Sequence, residues 1–379
     1  MNVGIDARAA AEVPAGRGRV VRELLRELAA RGDDGHRYVL YARDVWHGEP
    51  LDERFKWRLL GARDPLWHAL AARHANRECD VFLSCNSYLT TWLLSIPSVP
   101  IVYDLVGFEP SMRPNRRSAV IERATLGLAV RRSAALLAIS EATADALADR
   151  FPAGRRKTVV APLGVAPALD ESLAPEEAAL MPTPGFVLAV GTLEPRKNLP
   201  RLVAAYSSLD EAQQIRHPLV VVGASGWQTG ETFDALRSLG ERCQVLGYVS
   251  DAELAELYRR CAVFCYPSLG EGFGLPVLEA MAAGAAVVTS SLSSLPEVGG
   301  DAVEYVDPYD VPGIAAGLRA VLDDDAHRAD LSARARTRAG EFSWERFATI
   351  VLATIDAAVG HTATAHVAAD RTPVQRAVR

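Results

Sequence analysis

Ala262-Val-Phe-Cys-Tyr266-Pro-Ser268-Leu-Gly-Glu271-Gly272-Phe273-Gly274-Leu275-Pro276-Val277-Leu278-Glu279-Ala-Met-Ala-Ala283 is the stretch on which the reading of this chain turns. Its first five residues are apolar and β-prone, short enough for a buried strand. Glu279 to Ala283 is strongly helical in composition and Gly284 ends it. Pro276 suits a first helical turn, where its missing N–H costs nothing. A strand, a glycine-rich loop and a helix start follow one another, with one carboxylate in the loop and one in the first turn. Gly272 and Gly274 let backbone N–H groups approach a ligand, and the helix N-terminus adds positive potential. The same letters also fit a tight loop with a solvated Glu271 and a capping Glu279.

A basic counterpart lies upstream. Phe186–Val190 reads as a second buried strand, followed by Gly191-Thr-Leu-Glu-Pro195-Arg196-Lys197-Asn198-Leu199 and a helix from about Asn198 towards Ser208. Two cations at a helix N-terminus oppose its dipole, by roughly 0.3–1 kcal/mol each. An anion held between them and the helix turns that conflict into a binding site. Only Lys56, Lys157 and Lys197 are lysines among 41 basic residues, which singles out Lys197. A solvated basic turn is the plainer alternative; phosphate capture is the favoured reading.

Together these motifs resemble retaining glycosyltransferase family 4, of GT-B fold. The resemblance rests on Glu271 and Glu279 eight positions apart and on Gly191-Thr-Leu-Glu-Pro-Arg196-Lys197-Asn198. The spelling is similar to bacterial mannosyl- and rhamnosyltransferases of surface-polysaccharide assembly, closely in the C-terminal half and loosely in the N-terminal half. It implies that Arg196 and Lys197 hold a donor diphosphate, that Glu271 touches the donor sugar and that Glu279 binds the ribose. It also implies two Rossmann-like domains facing across a cleft, with a C-terminal helix crossing back to the first.

The chain of 379 residues, 49% hydrophobic and 23% charged, suggests two domains with ample core. A net charge of −6 argues against nucleic-acid binding. No apolar run reaches the roughly 20 residues of a membrane span, and no signal-peptide pattern opens the chain, so a cytoplasmic location is expected. Cysteines 79, 85, 243, 261 and 265 show neither CxxC spacing nor histidine neighbours, and read as reduced, mostly buried thiols. Alternating strand and helix patterns imply parallel sheets with helices on both faces. The expected organisation is an acceptor-side domain over 1–166, a proline-rich, acidic linker free of strand and helix pattern over 167–184, a nucleotide-sugar domain over 185–342, a crossover helix over 343–360 and a disordered tail over 361–379.

In the first half, Val3-Gly-Ile5 opens as a strand into a polar turn at Asp6-Ala-Arg8, and Gly16-Arg-Gly18-Arg precedes a helix over 20–28. Gly16 and Gly18 are candidates to line the cleft, as a similar Gly-x-Gly-Arg does in the family; two glycines in a turn are also common. Ligands gather beyond the carboxyl ends of parallel strands, which nominates Asp104 after Tyr103 and Ser140 after Ile139. The family commonly has His-Asp where this chain has Tyr103-Asp104, a departure that leaves no imidazolium there and leaves a purely structural Asp104 open. Gly191, Gly223 and Gly247 each follow a strand directly, as expected where a ligand crowds the sheet edge; tight turns between strand and helix also favour glycine. The resemblance places the nucleotide base at Tyr248 and Val249, and the sugar against Gly272, Phe273, Gly274 and Leu275. It also makes the serine-rich loop from Ser290 to Glu297 a donor-side element. Arginines 113, 116, 117, 123, 131 and 132 make a basic, partly apolar segment, either a solvated face or a contact for the inner face of an anionic membrane.

The expected activity is transfer of a hexosyl group, mannose or rhamnose favoured, from a nucleotide sugar to a glycan or lipid-linked acceptor with retention. No cofactor and no metal are expected, since two cations occupy the metal's place. The alternatives are a non-catalytic nucleotide-sugar-binding protein, a tailoring glycosyltransferase of a small natural product, and a glycosidase using Glu271 and Glu279 as its carboxylate pair.

Overall fold

The computed structural model describes residues 1–13, 16–48, 50–105, 108, 116–165, 173–224, 226 and 230–360. The described strands form two wholly parallel sheets. In the first, β1 Asn2–Asp6, β2 Arg37–Ala42, β3 Phe55–Leu59, β4 Val81–Ser84, β5 Ser98–Val102, β6 Leu136–Ala138 and β7 Thr158–Val160 lie in the order β3-β2-β1-β4-β5-β6-β7. In the second, β8 Val187–Val190, β9 Leu219–Val222, β10 Cys243–Gly247, β11 Val263–Tyr266, β12 Val287–Ser290 and β13 Glu304–Val306 lie in the order β10-β9-β8-β11-β12-β13. The winding is the same in both, with one further strand at an edge of the first. The central strands β4, β5, β9, β11 and β12 are buried at every position. Such runs are what a sheet covered by helices on both faces demands.

Two edge strands escaped the pattern reading. In β3, Lys56 and Arg58 interrupt the apolar run, yet its backbone pairs with β2 from Tyr38 opposite Phe55 onward, and Arg58 bonds Glu78 at 2.6 Å. The strand β13 is only three residues long. Asp6-Ala-Arg8 is also no solvated turn: Asp6 closes β1, Arg8 opens a short helix, Arg8–Glu12, and both side chains are buried. Arg8 donates to Asp6 through Nε (3.0 Å) and Nη2 (2.9 Å), and its guanidinium lies 3.7 Å from the centre of the Trp67 ring system. A cation removed from water has to be paired in this way.

The stretch expected as a patternless linker contains a helix, Pro175–Ala179. It forms because Glu177 accepts the Ala174 N–H at 3.1 Å and Arg260 holds the Ala178 carbonyl at 2.9 Å. Residues 167–172 of that stretch lie outside the described residues, as do the 361–379 tail, Pro14, Ala15 and Arg113.

The last helix, Trp344–Val359, starts at Ser343, whose hydroxyl accepts the Arg346 N–H, and packs on the Arg17–Ala30 helix and on β4 and β5. Arg31 reaches from the first domain to the Glu345 carbonyl at 2.7 Å. The largest buried apolar cluster runs unbroken from Ile5, Leu83 and Ile101 through Phe347 and Val351 to Leu188 and Phe264. Among the described residues all five cysteines are free, and no helix is long and apolar enough to cross a membrane.

Candidate active site

β8 ends at Val190, and Gly191 turns the chain at φ +135°, where a side chain would press on Lys197 Cε. Pro195–Lys197 then makes one 3-10 turn. Asn198 caps the Leu199–Ser207 helix in the left-handed region, at φ 61°. Its buried side-chain amide fixes that strained backbone by donating to Pro267 O (3.0 Å) and Pro308 O (2.7 Å). The turn therefore aims both cations at the loop after β11.

There they converge on one carboxylate. Arg196 Nη1 pairs with Glu271, Lys197 Nζ lies 2.9 Å from Glu271 Oε1, and Arg196 also donates to Glu194 and the Gly270 carbonyl. Tyr266, at the end of β11, donates to Glu271 at 2.8 Å and accepts from Lys197; Ser268 Oγ donates to the same carboxylate at 2.7 Å. Burial alone would push the Glu271 carboxyl up, but Lys197 and Arg196 outweigh it and hold the group well below the usual carboxylate range. Burial lowers the Lys197 ammonium, opposed by Glu271 and reinforced by neighbouring Arg196. Arg196 moves the other way, since Glu271, Tyr266 and Glu194 overcome its burial. The cluster is thus an ionised carboxylate between two cations.

The next three residues divide their roles. Gly272 packs against the first domain: a Cβ there would run into the Tyr103 carbonyl and come within 3.0 Å of Asp104 Cβ. Its own carbonyl accepts from Ser140 Oγ at 2.7 Å and Thr143 Oγ1 at 3.1 Å. Phe273 turns its ring into the core, edge-on to Phe342 at 5.8 Å between centroids. Gly274, at φ +111°, caps the Leu275–Ala283 helix, so Leu275 opens that helix. The serine-rich loop does lie here. Ser293 Oγ accepts the Glu271 N–H at 2.9 Å, and Ser294 Oγ donates to the Glu271 and Phe273 carbonyls.

Glu279, expected in the first turn of that helix, falls just beyond it; it is buried and paired with Arg19 from the Arg17–Ala30 helix of the opposite domain. Arg19 Nη2 also reaches Asp251 at 2.5 Å, and Tyr258 donates to Glu279 at 3.3 Å. Burial raises the Glu279 carboxyl against the pull of Arg19. Asp251 opens a helix two residues after Val249; Tyr248 is exposed and Val249 half-buried. Gly16 caps the first-domain helix at φ 56° on the surface. Gly18, by contrast, does not line the cleft: it is buried within the helix, with the Val13 and Ala9 carbonyls where a side chain would be.

Arg196, Lys197, Gly191, Glu271 and Gly272 are thus brought to one crevice, with Asp104 beside it and Glu279 tied across it; Gly274 instead packs on Leu295 at the helix cap. Tyr103 is half-buried and donates to the Cys85 carbonyl at 2.8 Å, with the Arg17 guanidinium 5.7 Å from its ring centre. Tyr266, Ser268 and Arg19 were not singled out in the sequence. Only Arg19 left a trace there, as the last letter of Gly16-Arg-Gly18-Arg.

Residues 14–169 match the family profile described as Glycosyltransferase Family 4, and residues 172–338 match Glycosyl transferases group 1. This chain belongs to glycosyltransferase family 4. Over 171 residues the family 4 chain is 44% identical to the O-antigen chain mannosyltransferase B of Escherichia coli, a stretch covering 44% of each protein. It therefore spans less than half the length of that relative. Its fold is similar to sucrose-phosphate synthase from Thermosynechococcus elongatus (TM-score 0.72, 21% identity, 93% of this chain and 98% of that one). HepE of Anabaena, solved with UDP-glucose, is similar too (TM-score 0.73, 16% identity, 94% and 100% covered). These likenesses show the GT-B fold expected from the motifs.

Proposed function

We propose that the chain is a retaining hexosyltransferase moving mannose, or else rhamnose, from a nucleotide sugar to a glycan or lipid-linked acceptor in surface-polysaccharide assembly. The observation carrying this reading is the convergence of Arg196 and Lys197 on Glu271 beside the Gly272–Gly274 backbone. The E. coli relative, named for transferring mannose in an O-antigen chain, supports the choice of sugar and acceptor class.

In this reading the donor diphosphate takes up the two cations, which stabilise the charge that grows on it as the glycosidic bond breaks. Glu271, freed of part of its pairing, holds sugar hydroxyls; Glu279 takes the ribose, the turn at Tyr248 and Val249 brackets the base, and Asp104 faces the reacting sugar. The acceptor hydroxyl attacks on the leaving-group face, without a protein nucleophile. No divalent metal is needed, because Arg196 and Lys197 supply its charge. The exposed Arg131 and Arg132, at the end of the Arg116–Arg132 helix, make that helix a candidate contact for an anionic membrane.

Ligand-observed NMR with GDP-mannose, dTDP-rhamnose and UDP-hexoses tests the donor. Turnover with the bound donor on an acceptor panel, unaffected by EDTA and yielding the donor's own anomeric configuration, is the expected result. Failure of all donors to bind sinks the proposal. A second reading, nucleotide-sugar binding without transfer, draws on Tyr103, whose hydroxyl is committed to a backbone carbonyl. Donor binding with no turnover on any glycan, lipid-linked or small natural-product acceptor would favour it.

A further inference from the structure

The loop that bears Glu271 is gripped from outside its own domain. Ser140 is the buried cap of the Glu141–Arg150 helix in the first domain; its oxygen accepts the Thr143 N–H at 3.0 Å and its proton goes to the Gly272 carbonyl. Thr143 Oγ1 adds a second bond to the same carbonyl. The first two amides of this helix would be orphan donors by ordinary helix geometry. Both are taken by the second domain, where Glu297 accepts Glu141 N at 2.7 Å through Oε2 and Ala142 N at 2.6 Å through Oε1. Glu297 belongs to the Leu295–Gly299 helix, whose cap residue, Ser294, bonds back to the Glu271 and Phe273 carbonyls.

The bonds close a ring: Ser140 to Gly272, along the chain to Glu271 and Phe273, to Ser294, to Glu297, and back to the Ser140 helix. Every link but the peptide bonds is a hydrogen bond to backbone, so the ring fixes main-chain position without reaching into the crevice. The anionic Glu297 carboxylate sits at the positive end of the helix it caps, which suits it electrostatically.

We infer that Ser140 and Glu297 are positioning residues: the acceptor-side domain uses this ring to set the Gly272 backbone and, through it, the Glu271 carboxylate. The inference rests on the proposed role of Glu271 at the donor sugar. Displacement of a substrate-orienting group by about 1 Å is enough to cost on the order of 100-fold in rate. Arg196 and Lys197 stand on a different loop and keep Glu194 and Tyr266 as partners, so diphosphate capture should change less than turnover.

Ser140→Ala, Glu297→Gln and the double variant test this against wild type. Three quantities are measured: kcat on the nucleotide sugar that wild type turns over, calorimetric Kd for GDP, dTDP and UDP, and amide hydrogen exchange over residues 271–275. Each single variant should lower kcat about 10- to 100-fold, keep Kd within about twofold, and quicken exchange at the loop. The double variant should add little, as members of one network do. Unchanged kcat and exchange would overturn the inference, and so would a Kd lost in step with kcat, which marks general collapse. Should wild type turn over none of the sugars, the proposed function fails and the exchange result alone decides the ring. Should Glu297→Gln fail to fold, Ser140→Ala decides it.

Discussion

Lys197 meets Glu271, Tyr266 and the backbone of Gly191 in a space that admits little water, so its charge matters there more than on the surface. Lys197→Ala should weaken nucleoside diphosphate binding about 10-fold or more by calorimetry, the worth of one or two charge-assisted hydrogen bonds. Glu271→Gln leaves two buried cations short of their partner and should cost about 3 kcal/mol in denaturant unfolding. The pH dependence has a definite sign. The Glu271 carboxyl is held low in the folded chain, so the unfolded chain takes up the proton first as acid is added. The gap between wild type and Glu271→Gln should hold constant from about pH 7 to about pH 5 and narrow below a glutamate's ordinary value, about 4.3. A gap that widens in acid would contradict the ionised cluster. Lys197, Arg196 and Glu271 were legible because charge beside strand-end glycines has few structural reasons to be there. Tyr266 was not: a tyrosine closing an apolar run reads as core, and its hydroxyl shows its use only once Lys197 and Glu271 are placed around it. Arg19 was hidden by an arginine-rich composition in which no single guanidinium stands out.

At the scale of elements, the buried strands and the helices between them were readable from apolar runs and periodicity, because a covered parallel sheet imposes both. The edge strands β3 and β13 were not, since an edge needs only one neighbour and tolerates charge on its open face. The loop from Glu271 to Gly274 lies between these cases. Its glycines were visible, but their reasons differ: Gly274 supplies a positive φ at a helix cap, and Gly272 supplies the space in which one domain meets the other. Gly272→Ala should accordingly act as an overpacking change, costing about 1–3 kcal/mol by thermal unfolding. It should also lower transferase turnover by more than that loss of stability explains, because the Tyr103 carbonyl gives way only by moving the Glu271 loop. Turnover at the wild-type rate would show that the loop tolerates the shift.

For the whole molecule, two sheets of like winding are closed on each other by polar contacts around a crevice and by an apolar cluster behind it. Arg19 is the most exacting of these contacts, joining Glu279 and Asp251 of the second domain to a helix of the first. Arg19→Ala leaves Glu279 buried without its cation and should let the domains part, read as a larger radius of gyration in small-angle scattering. An unchanged radius would mean that the apolar cluster alone sets closure.

The helix Trp344–Val359 is encoded after the second sheet yet lodged against the first. A protease site inserted after the exposed Leu180 would cut the chain where it passes from one sheet to the other. The nicked halves should still elute together from a sizing column, since the latter fragment keeps a helix buried in its companion. Co-expressed as separate polypeptides, the two pieces should complement each other, whereas halves that elute apart would mean that this borrowed helix is no strong tether.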